Sequence, residues 1–285
     1  MPQAGALRRT APSASLDAPQ TPRTLARLAT RALSDELALD PKPGLVSLRD
    51  AGAHADMNAR TFVRSLFALR GHFAAFAAAG ERAAPFAVLR ELGLRAEAAM
   101  LAATGGVNTH RGAIFAVGLL CAAAARTQAL GHALADEGLR RVLRETWGAA
   151  LAAHAQGQDA TSHGGRVARL HGAGGARAEA ACAVPAVFEI ALPALRARRG
   201  EPRLARVLAL LALIAHVDDT NVLHRGGRAG LSFVQRRARA VRAGNDVIAG
   251  ARAMHGELVA RGLSPGGCAD LLAAALFVDA VTSAR

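Results

Sequence analysis

Tyrosine is absent from the 285-residue chain, tryptophan occurs once, and aromatic residues make up only 4%. A nucleic-acid groove built on stacking platforms needs more rings than that. No zinc-finger spacing or basic-region heptad replaces them, so no nucleic-acid partner is expected despite the basic charge. Lysine also occurs once, at Lys42, so the phosphate-binding pattern G-x-x-x-x-G-K-[ST] is missing. H-E-x-x-H, C-x-x-C and G-x-S-x-G are missing too, which argues against zinc peptidase, thiolate metal and serine hydrolase chemistry. The three cysteines, Cys121, Cys182 and Cys268, are scattered among apolar neighbours. They form no disulfide framework and read as small core residues in a reducing compartment. The longest uncharged stretch in the middle of the chain, Gly112 to Ala125, has 14 residues. That is short of the roughly 20 needed to span a bilayer. Residues 1–20 place no apolar segment behind Arg8 and Arg9, so they do not read as a secretory signal. A cytoplasmic protein with no membrane partner is expected.

What the chain does have is hydrophobic residues (52%), 35 basic against 22 acidic side chains, and a net charge of +13. A surplus of cations without nucleic-acid motifs suits a highly phosphorylated small ligand. Thr21-Pro22 makes an N-cap and first-turn proline, and Leu25, Leu28, Ala32 and Leu33 follow at helical spacing. Phe62, Leu66, Leu69, Phe73 and Phe76 continue that spacing over about four turns. Similar patterns cover about 86–103, 111–134, 137–155, 177–198, 203–217, 231–241, 245–261 and 267–283. Alternating β-branched runs are missing. The expected fold is all-α, a single domain of about ten helices over 21–285 behind a disordered tail at 1–20.

Polar residues concentrate in five connections. PKPGLVSLRDAGAHADM (41–57) carries Lys42, His54 and Asp56, and GGVNTH (105–110) carries Asn108 and His110. SHGGRVARLHGAGGARAEA (162–180) carries His163, Arg177 and Glu179, DDTNVLHRGG spans 218–227, and SPGG opens the last helix. Singly, such junctions are ordinary caps and turns. Together they supply carboxylates, amides, histidines and guanidiniums between apolar helices, which is how a helical scaffold builds a polar pocket. Asp56, Glu97, Glu179 and Asp219 are hard oxygen donors of the kind Mg²⁺ takes, often shared with substrate phosphates.

Five segments, PKPGLV…GAHADM, LRAEAAMLAATGGVNTHRGAIF, SHG…GARAEA, DTNVLHRGG and SPGGCADLLAAALF, resemble in order those of the triphosphoribosyl-dephospho-CoA synthases. The resemblance covers roughly 40–283. Two positions depart from the pattern: Ala178 stands where glycine is expected, and Arg111 where lysine is common, which keeps the charge but not the geometry.

The resemblance implies a transferase. It would move the triphosphoribosyl group of ATP to the 2′-hydroxyl of 3′-dephospho-CoA and release adenine. An α linkage formed from a β donor implies inversion, with a base for the hydroxyl and a donor for the leaving purine. The product would pass to an enzyme that loads an acyl carrier subunit, in malonate decarboxylase or citrate lyase, and Ser47 in KPGLVS leans the reading to the former. A homodimer is also among the expectations.

On this reading Asp219 and Glu97, then Asp56, are the candidates for base or Mg²⁺ ligand. Lys42, His54, Asn108, His110, Arg111, His163, Arg177, Glu179, Thr220, Asn221, Arg225, Gly226 and Gly227 are expected to bind substrate. Asp219→Asn is expected to melt like wild type while slowing turnover at least about a hundredfold. The alternatives are a Mg²⁺-dependent N-glycosidase of the ADP-ribosylglycohydrolase kind, using water as acceptor, and a non-enzymatic basic protein that binds CoA or nucleic acid.

Overall fold

The uncharged run of Gly112 to Ala125 becomes the middle of a central helix, in which every residue from Ala116 to Ala125 is buried. A computed structural model describes residues 20–157 and 174–283. Among these are twelve α-helices, a π-helical stretch and no strand, so the chain is an all-α protein. The tail at 1–19 and His163 lie outside the described residues.

The helices are α1 (Pro22–Ala38), α2 (Ala59–Leu69), α3 (His72–Glu81), α4 (Phe86–Thr104), α5 (Arg111–Ala129) and α6 (Asp136–Gln156). They continue with α7 (Gly175–Ala181), π-helical Ala186–Ala191 running into α8 (Leu192–Arg196), α9 (Pro202–His216), α10 (Thr220–Ala243), α11 (Val247–Ala260) and α12 (Gly266–Ser283). Helix α5 packs against α3, α6 and α12, while α1 covers α12 and α3. Small residues permit the closest approach: a side chain at Gly80 would collide with the Ala122 backbone, and one at Gly118 with the Phe76 ring. Thr21 caps α1 as its sequence suggests, accepting from the Thr24 N–H. The one tryptophan, Trp147, is buried and donates its indole N–H to the Ala84 carbonyl at 2.8 Å.

Three elements differ from the sequence reading. The pattern through Phe62–Phe76 breaks at Arg70-Gly71 into α2 and α3, where glycine's poor helix propensity allows a change of direction. The 177–198 segment is interrupted because Ala183 and Val184 adopt φ of 57° and 52°. Pro185 disfavours the helical region for the residue before it, and a left-handed β-branched residue such as Val184 stores strain. The 218–227 segment, read as a connection, is helical from Thr220 onward, with a kink absorbed at Gly227 (φ 58°).

Among the described residues two helices, α5 and α12, are long and apolar enough to cross a membrane by length and composition. The 14-residue uncharged run understated this, because the helix extends through its flanking arginines. Both helices bury most of that surface against the rest of the protein.

Candidate active site

A cavity of about 1160 Å³ opens beside α5, large enough for two nucleotide-sized ligands. Helices α5, α10 and α12 are among those that begin on its wall. The polar entrance of α5 has a physical account here. Its N-terminal amides are met by protein acceptors, Asn108 Oδ1 for the Arg111 N–H at 3.1 Å and the Asp270 carboxylate for the Ala113 N–H. Gly112 is required at this point, because any side chain there would run into the Asp270 carboxylate.

Asp219 plays the same part for the other two helices. Its Oδ1 accepts from the Asn221 and Val222 N–H groups at 2.8 and 3.3 Å, and its Oδ2 accepts from the Cys268 N–H at 2.8 Å. The first two bonds cap α10 and the third reaches into the first turn of α12. Burial raises the Asp219 carboxyl above the usual carboxylate range, against the lowering effect of these donors.

This geometry changes the outcome expected for Asp219→Asn. Asn retains one acceptor oxygen, but its amide nitrogen would face the Cys268 N–H, donor against donor. A buried donor left without its partner costs about 1–3 kcal/mol. The variant is therefore expected to melt several degrees below wild type in a thermal scan, and unchanged melting would show that the Cys268 bond contributes little.

Deeper in the wall, Lys42 Nζ lies 2.7 Å from Glu36 Oε1, and both side chains are almost fully buried. Burial raises the Glu36 carboxyl, partly offset by the Lys42 charge. Asp270 is half-buried and opens onto the cavity. Burial holds its carboxyl well above the usual range, and the neighbouring Glu36 and Asp219 charges push it further. Neither Glu36 nor Asp270 was singled out from the sequence.

His110 is buried at the start of α5 with its ring edge-on to Phe62. Its Nδ1 is 2.7 Å from Ser65 Oγ, while its Nε2 has no partner among the described residues. Burial, helped by the nearby Lys42 charge, lowers its pKa to about 3. A histidine depressed in the folded state contributes stability that is complete above its unfolded pKa of about 6.5 and lost as pH falls toward the folded value. Relative to His110→Phe, wild type is therefore expected to lose about 1.4 kcal/mol per pH unit between pH 6 and 4. Denaturant titrations at a series of pH values would read this, and parallel curves for the two proteins would contradict it.

The remaining candidates among the described residues fall into two groups. His54, Glu97, Asn108, Arg111, Arg177, Glu179, Thr220, Asn221 and Arg225 line the cavity along with Lys42, His110 and Asp219. Several already have partners: Glu97 is paired with Arg111, Glu179 Oε2 accepts from the Ala186 N–H at 3.1 Å, and Arg177 donates to the Gly157 carbonyl at 3.2 Å. Arg225 donates to the Ala53 and Gly262 carbonyls and to His54 Nδ1, and His54 Nε2 meets Ser264 Oγ at 2.9 Å. These bonds tie the 41–57 loop to the start of α12. Burial and the Arg225 charge lower the His54 pKa, against the opposing effect of Asp56.

Asp56, Gly226 and Gly227 do not line the cavity. The Asp56 side chain is 63% exposed, Gly226 lets α10 pass Leu263, and Gly227 carries the kink. Ser47 is buried and accepts from the Arg49 and Asp50 N–H groups, a turn role. Cys182, read as a core residue, is exposed, whereas Cys121 and Cys268 are buried. Asp219, Glu97 and Asp56 do not meet, and among the described residues no group of three or more His, Cys, Asp or Glu side chains is placed to hold a metal ion.

The fold and site thus define an all-α protein with a cavity sized for nucleotides and walled by buried carboxylates and arginines. The family model described as ATP:dephospho-CoA triphosphoribosyl transferase matches residues 22–285, and the chain belongs to that family. It is 47% identical to a probable 2-(5″-triphosphoribosyl)-3′-dephosphocoenzyme-A synthase of Pseudomonas aeruginosa strain UCBPP-PA14, over 90% of this chain and 89% of that protein. A probable synthase of the same name from Stutzerimonas stutzeri is 45% identical over 94% of each chain. The 2-(5″-triphosphoribosyl)-3′-dephosphocoenzyme-A synthase of Klebsiella pneumoniae is 41% identical over 88% of each. No solved structure matches the chain.

Proposed function

We propose that this enzyme transfers the triphosphoribosyl group of ATP to the 2′-hydroxyl of 3′-dephospho-CoA, releasing adenine. The observation that carries the reading is the cavity: its volume suits both substrates, and its wall holds the chemistry that such a transfer needs. Phe62, Phe76, Phe86 and Phe115 form an apolar side suited to a purine, while Lys42, Arg90 and Arg111 supply positive charge for a triphosphate. The relatives named as synthases span nearly the whole chain, which supports the same reaction.

Hydrogen-bond occupancy favours Asp270 as the base. Asp219 already accepts three N–H bonds, Glu36 faces Lys42, Glu97 faces Arg111 and Glu179 binds Ala186. Asp270 is engaged only by the Ala113 N–H among the described residues, and burial with the neighbouring Glu36 and Asp219 charges raises its basicity. Mg²⁺ fits the triphosphate better than it fits a cage of protein ligands here. It enters as part of the substrate, in keeping with its preference for phosphate oxygens and retained water.

The test is direct. Incubated with MgATP and dephospho-CoA, the enzyme is expected to yield adenine and a triphosphoribosyl adduct in equal amounts, separated by chromatography and weighed by mass spectrometry. Excess EDTA is expected to stop the reaction. ADP, AMP or pyrophosphate as products would overturn the reading, and free triphosphoribose without an adduct would point to hydrolysis. The product's destination can be read by which apo-carrier, that of malonate decarboxylase or of citrate lyase, its loading enzyme modifies.

A further inference from the structure

Ser65 lies on α2 with none of its surface exposed, and the one hydrogen-bond partner of its hydroxyl among the described residues is His110 Nδ1. A buried hydroxyl donates when its partner can accept. Donation from Ser65 makes Nδ1 the bare nitrogen and leaves the ring proton on Nε2. That N–H is buried, lines the cavity and has no acceptor among the described residues. An unanswered buried donor costs about 1–3 kcal/mol, so its acceptor is expected to arrive with substrate. Phe62 packs edge-on against the ring, and Phe76, Phe86 and Phe115 line the same cavity, which supplies apolar surface suited to a purine base.

We propose that His110 is a neutral hydrogen-bond donor to the departing purine, and that Ser65 is the positioning residue that fixes it in the Nε2–H tautomer. This rests on the transfer reaction proposed above. As the C1′–N9 bond breaks, its electron pair passes to N9 and spreads over the ring nitrogens. The 2′-oxygen forms the new bond to C1′ and gives its proton to a carboxylate, and adenine takes up one proton overall, so the exchange balances. His110 keeps its own proton throughout. Its Nε2–H answers the negative charge growing at purine N3 or N7. The ring stays uncharged across the working pH range, so it donates without acting as an acid, a pattern known where a buried neutral imidazole polarises a substrate.

Two measurements test it. ¹⁵N NMR of histidine-labelled enzyme without substrate is expected to report the Nε2–H tautomer for His110 at pH 7, and Ser65→Ala to lose that preference. In turnover, His110→Phe is expected to lower kcat for ATP about a hundredfold, with little change in KM, as for an interaction made in the transition state. His110→Gln, which can place an amide N–H near the same point, is expected to recover roughly tenfold of that loss. The same comparison with 3-deaza- and 7-deaza-ATP locates the acceptor: on the analogue lacking it, wild type and His110→Phe are expected to turn over equally.

An Nδ1–H tautomer, a folded His110→Phe with wild-type kcat, or one unvarying defect across ATP and both analogues would overturn the proposal. If wild type releases no adenine from ATP, the reaction reading fails instead. The tautomer then decides the Ser65 lock alone, with Nε2–H upholding it and Nδ1–H overturning it.

Discussion

Asp270→Asn is expected to slow turnover by about 10²–10⁴-fold, or roughly 3–5 kcal/mol of barrier, while the protein melts no lower than wild type. The two halves have one cause. Asp270 holds a half-buried carboxylate beside the charges of Glu36 and Asp219, and withdrawing an ionised carboxylate from water among others of the same sign is unfavourable. Its compensation is the start of α5, where the Ala113 N–H and the helix dipole favour a negative group by about 0.3–1 kcal/mol. Asn keeps an oxygen for that N–H and removes the charge, so stability holds or rises. It cannot accept the proton of a hydroxyl nucleophile, so the rate falls. A thermal scan beside steady-state kinetics reads both. Lost stability with retained activity would reduce Asp270 to a remote cap for α5.

The contrast with Asp219 shows how far the sequence could go. Asp219 in DDTNVLHRGG stood out because a polar cluster followed an apolar stretch, and the structure places it at a helix start on the cavity wall. What the sequence could not supply was the second helix: Cys268 is 49 residues away, and its N–H occupies the other oxygen. Glu36, Ser65 and Asp270 were missed for a different reason. They lie on helices rather than in the glycine-rich connections where the sequence concentrates its polar residues. Yet Glu36 is three residues beyond Leu33, and Ser65 lies three beyond Phe62 and four before Leu69, so both interrupt the apolar stripe of an amphipathic helix. A polar residue on a buried stripe is a signal that periodicity alone reveals. Asp270 gave a weaker one, since an acid in the first turns of a helix is an ordinary dipole partner. The helical class was legible because apolar residues recur at helical spacing along α1 and α2, and because alternating β-branched runs are missing. The breaks at Gly71 and before Pro185 were also written in the sequence, as a glycine and as a residue preceding proline.

Lys42→Met is expected to be the most destabilising single change in the cavity wall. Lys42 and Glu36 face each other at 2.7 Å with side chains 1% and 5% exposed, so neither charge can turn to water. Removing one partner of a buried ion pair typically costs about 3–5 kcal/mol, mostly from the uncompensated charge left behind. Met matches the length of the lysine stem, so little of the loss should come from a void. The surviving Glu36 is already raised by burial, with Lys42 the principal force lowering it. Without Lys42 it rises further, and a carboxyl raised in the folded state stabilises the protein below its unfolded pKa and loses that contribution as pH rises through the folded one. The variant should therefore be weakest at alkaline pH and recover as the solution is acidified. Glu36→Gln added to Lys42→Met should restore most of the lost stability, because it removes the stranded charge. A double-mutant cycle by denaturant unfolding at two pH values separates the possibilities. If Lys42→Met unfolds like wild type at pH 8, the pair carries no stability, and Lys42 is there for the triphosphate alone.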